Sequence, residues 1–295
     1  MTDQPRAVDP PQAPNDARLD ALLPSEMAAK ASDVGARKAA AGLLPTFVLA
    51  VLAGAFVALG AAFATTVAAG SAGIVPYGFV RLAAGLAFSL GLILVIVGGA
   101  ELFTGNNLLA MAWASRRISL GSVARNWGIV YAGNLVGALG TAVLVVVSGQ
   151  YRFGGDTVGA VAMSTALTKV SYEPLAAFTL GILCNGLVCL AVWLTYSART
   201  TTDRILAIVP PIAAFVAMGF EHSVANMYFI PVAMLIRAVA PPAFWAGIGH
   251  VPADYAAVDA AGFLGNLVPV TLGNIVGGTL LVGAVYWLVY LRHHR

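Results

Sequence analysis

Gly99-Ala100-Glu101-Leu102-Phe103-Thr104-Gly105-Asn106 and Gly219-Phe220-Glu221-His222-Ser223-Val224-Ala225-Asn226 share glycine, glutamate and asparagine at the same relative positions. Further along, Gly133-Asn134-Leu135-Val136-Gly137 and Gly273-Asn274-Ile275-Val276-Gly277 match in the same order. Each octet interrupts an apolar run, and a charge set at membrane depth costs at least about 2.5–3.5 kcal/mol on insertion scales. Two such interruptions in register point to a chain built from two copies of one membrane unit, with its site where the helices break.

The flanking runs set the size of that unit. No Asp, Glu, Lys or Arg occurs between Lys38 and Arg81, Arg81 and Glu101, Arg125 and Arg152, Glu173 and Arg199, or Asp259 and Arg292. Gaps of this length match the ~20 apolar residues that cross a hydrocarbon core. Spans are expected over residues 45–69, 82–100, 126–148, 175–196, 205–240 and 264–291, with the second and fifth interrupted. Three spans per half is an odd number, so the second half enters the membrane in the opposite sense to the first. The expected fold is therefore all-α, six transmembrane helices in an inverted 3+3 repeat. Composition agrees: 59% of the 295 residues are hydrophobic and 10% charged, with mean hydropathy +0.85, against about 45–50% and about 25% in soluble domains. A cytosolic globular enzyme is excluded.

Charge placement sets the orientation. Of 16 Lys and Arg, all but Arg81, Arg152, Lys169 and Arg237 fall on the side of the two termini, which by the positive-inside rule is the cytoplasm. The expected location is the inner (plasma) membrane. Trp113, Trp127, Trp193, Trp245 and Trp287 lie near span ends, as interfacial belts require. With Pro5, Pro10, Pro11 and Pro14, three early Asp and no apolar stretch, no cleavable signal peptide is expected. The domain reading is a disordered cytoplasmic tail over 1–24, an amphipathic cytoplasmic helix over 25–44, the transport domain over 45–291 and a short cytoplasmic tail over 292–295. Cys184 and Cys189 fall in one apolar run at a spacing that does not favour a bridge, and are expected to be inert packing residues.

The chemistry concentrates in the two octets. Glu101 and Glu221 are expected to brace the helix breaks by accepting hydrogen bonds from amides freed there, since irregular backbone at membrane depth must be satisfied within the protein. His222 differs in kind, because its unperturbed pKa lies near physiological pH. It stands beside Glu221, Ser223 and Asn226 in a helix break, and a transport role is expected of it. No HExxH or paired CxxC spacing occurs, so no metal is expected. No phosphate-cradling Gly-rich fingerprint follows a strand, which argues against an ATP-driven pump. Neither a cofactor nor a nucleic-acid partner is expected.

The octets, together with Asn185-Gly186-Leu187-Val188-Cys189-Leu190-Ala191-Val192-Trp193-Leu194, the continuation to Met227, and Gly273-Asn274, resemble the signature segments of the formate/nitrite transporter family. The resemblance covers residues 25 to 291. It implies a homopentamer of aquaporin-like protomers, each with its own pore for small monovalent anions. Carried over by position, it makes His222 the central pore histidine and Thr104 the polar residue of the loop interrupting the second helix. Lys169 becomes the cationic vestibule residue and Asn185 the pore-lining amide. Phe88 and Phe215 become the outer apolar constriction, and Leu92, Leu102, Phe103 and Val188 the inner one. Asn106, Asn226, Asn134 and Asn274 join the two glutamates as helix-break support.

A mechanism follows. A carboxylate in a dry constriction faces a desolvation penalty of tens of kcal/mol in the idealised limit, whereas protonating an acid of pKa about 3.5 at pH 7 costs only about 4–5 kcal/mol. Crossing as the neutral acid is cheaper, with His222 lending the proton. Asn226-Met227-Tyr228-Phe229-Ile230-Pro231 resembles formate members of the family more than nitrite or hydrosulfide members, leaving nitrite, hydrosulfide or other monocarboxylates as the alternative substrates. An aquaporin-type neutral-solute pore is disfavoured because Asn-Pro-Ala occurs nowhere. A membrane-embedded enzyme would need a convergent nucleophile and base, which these residues do not supply.

Overall fold

The computed structural model describes residues 20–292. Most of the expected amino-terminal tail, together with His293, His294 and Arg295, lies outside the described residues. The described chain is helical, without strands.

Helix α1 (Pro24–Ala40) starts with proline in its first turn, and Glu26 reaches back to the Leu23 amide at 2.8 Å. Its apolar side, with Met27, Ala28 and Ala31, packs near Trp193, Met111 and Leu108. The apolar runs then form α2 (Leu43–Ala68), α3 (Tyr77–Gly98), α5 (Leu120–Val147) and α7 (Pro174–Ser197), each long and apolar enough to cross a membrane. The expected second span continues past its break as a 3-10 turn (Gly105–Leu108) and a short α4 (Leu109–Ala114). The expected fifth is two helices, α8 (Thr201–Ala217) and α9 (Ser223–Val239), after which the chain bends by 120° into α10 (Pro242–Ile248). The sixth is α11 (Ala260–Val276), a π-helical stretch (Gly277–Ala284) and α12 (Val285–Tyr290).

Helix ends depart from the hydropathy boundaries where polar residues continue a helix. Ser119 caps α5 by accepting from the Ser122 amide at 3.1 Å, which carries that helix back past Asn126 and Arg125. Thr200 and Asp203 form a reciprocal capping box on α8. Helix α3 begins at Tyr77, so Arg81 is a helical residue rather than a loop residue ahead of residue 82. The loop between the two halves also contains a helix, α6 (Thr157–Val170), with Lys169 in its last turn.

The halves pack by matching contacts. A Cβ on Gly137 of α5 would fall on the Val51 carbonyl of α2, and one on Gly277 would fall on the Ile182 carbonyl of α7. Backbones approach this closely only at small residues, as in other membrane helix pairs. Large apolar side chains such as Leu44, Phe79, Leu144 and Val147 are exposed on the outside. Such a surface suits lipid or neighbouring protomers and would be a liability in water.

Candidate functional site

Both helix breaks are made the same way. Helix α3 ends at Gly99 (φ +79°) and α8 is followed by Gly219 (φ +75°), the left-handed conformation that glycine adopts without strain. The freed Glu101 amide donates to the Leu49 carbonyl at 3.2 Å, and the Glu221 amide to Leu180 at 3.3 Å. Asn134 donates to the Ala50 and Glu101 carbonyls and accepts from the Phe103 amide. Asn274 donates to the Gly181 and Glu221 carbonyls and accepts from the Ser223 amide. One asparagine thus splices each broken helix to the helix beside it.

The carboxylates face side chains instead of the freed amides expected from sequence. Glu101 Oε2 accepts from Asn106 at 2.7 Å and from Lys38 at 3.2 Å, and Asn106 also donates to Asn126 at 2.9 Å. Glu221 accepts from Lys169 at 2.6 Å on Oε1 and from Asn226 at 2.7 Å on Oε2, and Asn226 also donates to Asn266 at 2.7 Å. The freed amides are satisfied by carbonyls and by the splicing asparagines, which leaves the carboxylates to the lysines.

The two breaks meet at a hydrogen bond. Thr104 Oγ1 and His222 Nε2 are 3.0 Å apart, both buried. His222 also caps α9, its Nδ1 accepting from the Ala225 amide at 3.0 Å. An Nδ1 that accepts must be bare, so the ring proton sits on Nε2 and points at Thr104. Asn185 donates to the carbonyls of Thr104 and Asn274 and to Asn107 Oδ1, and the Cys189 thiol also reaches the Thr104 carbonyl at 3.3 Å. Asn185 therefore holds the loop from behind rather than facing a cavity. Cys189 is likewise part of that support, while Cys184 is buried and free.

Two cavities flank this contact. One, about 200 Å³, lies against Arg81, Lys169, Phe88, Phe215, Glu221 and His222. The other, about 220 Å³, is walled by α1 and by Lys38, Glu101, Leu92 and Leu102. The Phe88 and Phe215 rings meet edge to face at 5.6 Å, Phe229 stacks on Phe88 at 6.5 Å, and Phe215 stacks on His222 at 5.9 Å. Leu92 and Leu102 come together on the other side. Val188 is buried on α7 and lines neither cavity. Phe103, expected in the same ring, packs instead against Tyr131 (4.9 Å) and Trp127 (6.0 Å) of α5 and also lines neither cavity. Its amide is pinned by Asn134, which fixes the direction its ring takes.

A paired-break helical unit of this kind has known counterparts. The profile described as Formate/nitrite transporter matches residues 25–288. The chain belongs to the formate/nitrite transporter family. It is 46% identical over 280 residues to the formate channel FocA of Escherichia coli (strain K12), covering 94% of this chain and 98% of that one. It is 43% identical over 264 residues to the formate channel FocA of Haemophilus influenzae, covering 89% and 93%. Among solved structures it superposes on a pentameric formate channel with formate bound, with TM-score 0.80 and 45% identity over 85% of this chain and 98% of that one. These relatives are channels, and this member of the family is a multi-pass membrane protein.

Four polar residues that hold this family member's site together escaped the sequence reading: Lys38, Asn126, Asn266 and Arg81. A signal existed for two of them, since Asn126 precedes Asn134 by the same eight residues that separate Asn266 from Asn274. Lys38 carried no comparable signal, because its partner Glu101 lies 63 residues away.

Proposed function

We propose that the protein is a formate channel in which each protomer of a homopentamer carries one pore, running from the Lys169 cavity past Phe88 and Phe215 to His222 and Thr104, then past Leu92 and Leu102 to the Lys38 cavity. The observation that carries this reading is the Thr104–His222 contact between two cavities, where the only intramembrane imidazole among the described residues hydrogen-bonds the hydroxyl of the opposite helix break. The supporting relatives are named as formate channels, one of them pentameric with formate bound. The protein sits in the inner membrane with both termini in the cytoplasm, its outer helix faces against lipid.

His222 lends the proton that lets formate cross as the neutral acid. Its Nε2 proton is the one presented to the path. Donation requires the ring first to take a second proton at Nδ1, which releases the Ala225 amide; the Nε2 proton can then pass to formate and leave a neutral ring, so proton delivery loosens the first turn of α9. Formate flux into proteoliposomes at several pH values, with nitrite, lactate and hydrosulfide in parallel, tests the reading. Proton-coupled formate uptake supports it, and preferential nitrite flux would move the substrate assignment within the family. Retention of proton coupling in His222→Asn, which can cap and donate but not titrate, would remove the proton from His222.

A further inference from the structure

The two cavities are not equal in charge. In the cavity beside α1, Lys38 faces Glu101 at 3.2 Å, and the full charges cancel. In the other cavity Lys169 faces Glu221 at 2.6 Å and cancels likewise, with side chains only 12% and 2% exposed. That cavity holds a further cation, Arg81, with no carboxylate partner among the described residues. Its guanidinium is anchored instead on the carbonyls that end α8, Nε donating to Ala217 at 3.3 Å and Nη2 to Val216. These carbonyls bear only the partial negative charge of a helix C-terminus, and Nη1 has no protein partner among the described residues.

We propose that Arg81, and not Lys169, supplies the charge that gathers anions in the cavity away from the termini, and so sets the preference for anions over neutral solutes at that mouth. The inference rests on the proposed channel function. Lys169, neutralised by a nearly buried glutamate, braces the break; Arg81 is preorganised by two carbonyls that hold it in place without cancelling it. Its field is screened over about 8–10 Å at physiological ionic strength, which is the scale of the cavity itself. Among the described residues, the lining of the opposite cavity holds no cation free of a carboxylate, its Lys38 being paired with Glu101, so uptake from the two sides should respond differently to salt.

The test is initial formate uptake into right-side-out and everted vesicles carrying the full-length protein, at low and high salt. Uptake from the Arg81 side should fall more steeply with salt than uptake from the Lys38 side. Arg81→Gln should lower uptake at low formate and low salt by about threefold, the factor that Coulomb's law in water gives for one charge roughly 7 Å from the anion. The Gln variant should match the unaltered protein at saturating formate, and Arg81→Lys should restore the low-salt rate. Equal salt slopes from the two sides overturn the inference without any variant having to fold. A Gln variant slowed equally at every concentration and salt, and not rescued by lysine, assigns Arg81 to bracing α8 only. Flux that is present in the unaltered protein but unchanged in the Gln variant removes the Arg81 inference alone, whereas no formate flux in the unaltered protein removes the channel reading and the inference with it.

Discussion

The break at 99–106 and the break at 219–226 are built from the same parts and differ where the chemistry lies. Glycine, glutamate and asparagine recur, each glutamate has a lysine, and each break has a splicing asparagine from a later helix. Five positions differ, and two of them carry the chemistry. Leu102 in the first break stands where His222 stands in the second, and Thr104 where Val224 stands. The repeat keeps what folds the break and varies what faces the partner half, so the hydroxyl comes from one copy and the imidazole from the other. The surroundings differ as well: the Lys38–Glu101 pair is 29% and 14% exposed, while Lys169–Glu221 is nearly dry.

The largest expected effect separates the wet pair from the dry one. Lys169→Met leaves Glu221 buried without its cation, which costs about 3–5 kcal/mol. Lys38→Met removes a pair that water partly replaces, worth about 1 kcal/mol or less. Unfolding in detergent, followed by the fluorescence of the five tryptophans, would read both; equal losses would mean that the two braces are energetically alike despite their exposure.

A second contrast sets His222 against Leu102. His222→Ala should reduce proton-coupled formate uptake at least tenfold while leaving the oligomer intact, whereas Leu102→Ala should leave proton coupling in place. Internal pH in liposomes distinguishes them. Undiminished coupling in the His222 variant would mean that the position where the repeats diverge carries no proton.

The seals on either side of that contact are aromatic on one face and aliphatic on the other. Planar-bilayer conductance should rise more for the Phe88→Ala, Phe215→Ala double variant than for Leu92→Ala, Leu102→Ala, because two rings removed open more space than two leucine side chains and a dewetted constriction rejects ions by refusing them hydration. Unchanged selectivity in the phenylalanine variant would reduce those rings to packing.

The smallest effect concerns the hydroxyl. Thr104→Val removes one buried hydrogen bond, worth about 1 kcal/mol net, and should slow flux by about fivefold with the pH dependence retained. A change in pH dependence as large as that of His222→Ala would show that the hydroxyl and the imidazole act as one proton-carrying unit.

The membrane spans and the paired breaks were legible in the chain because they rest on local rules. A hydrocarbon core demands long uncharged runs, and a left-handed turn at Gly99 or Gly219 asks for glycine. Glu101, His222 and the octet asparagines could be singled out in the sequence because a polar residue at membrane depth stands out against its neighbours. What the tertiary structure alone decided is which side chain each of these meets. Lys38 reaches Glu101 because α1 folds under the membrane unit, and Lys169 reaches Glu221 because the connecting loop winds into α6; both partners are far apart in the chain. The direction of the Phe103 ring was settled by the hydrogen bond that its backbone amide donates to Asn134, and the shielding of Lys169 by a carboxylate in the second break. Charge and apolarity are properties of a residue, but neutralisation and orientation are properties of its neighbours, and those neighbours are supplied by packing between segments that the sequence does not set side by side.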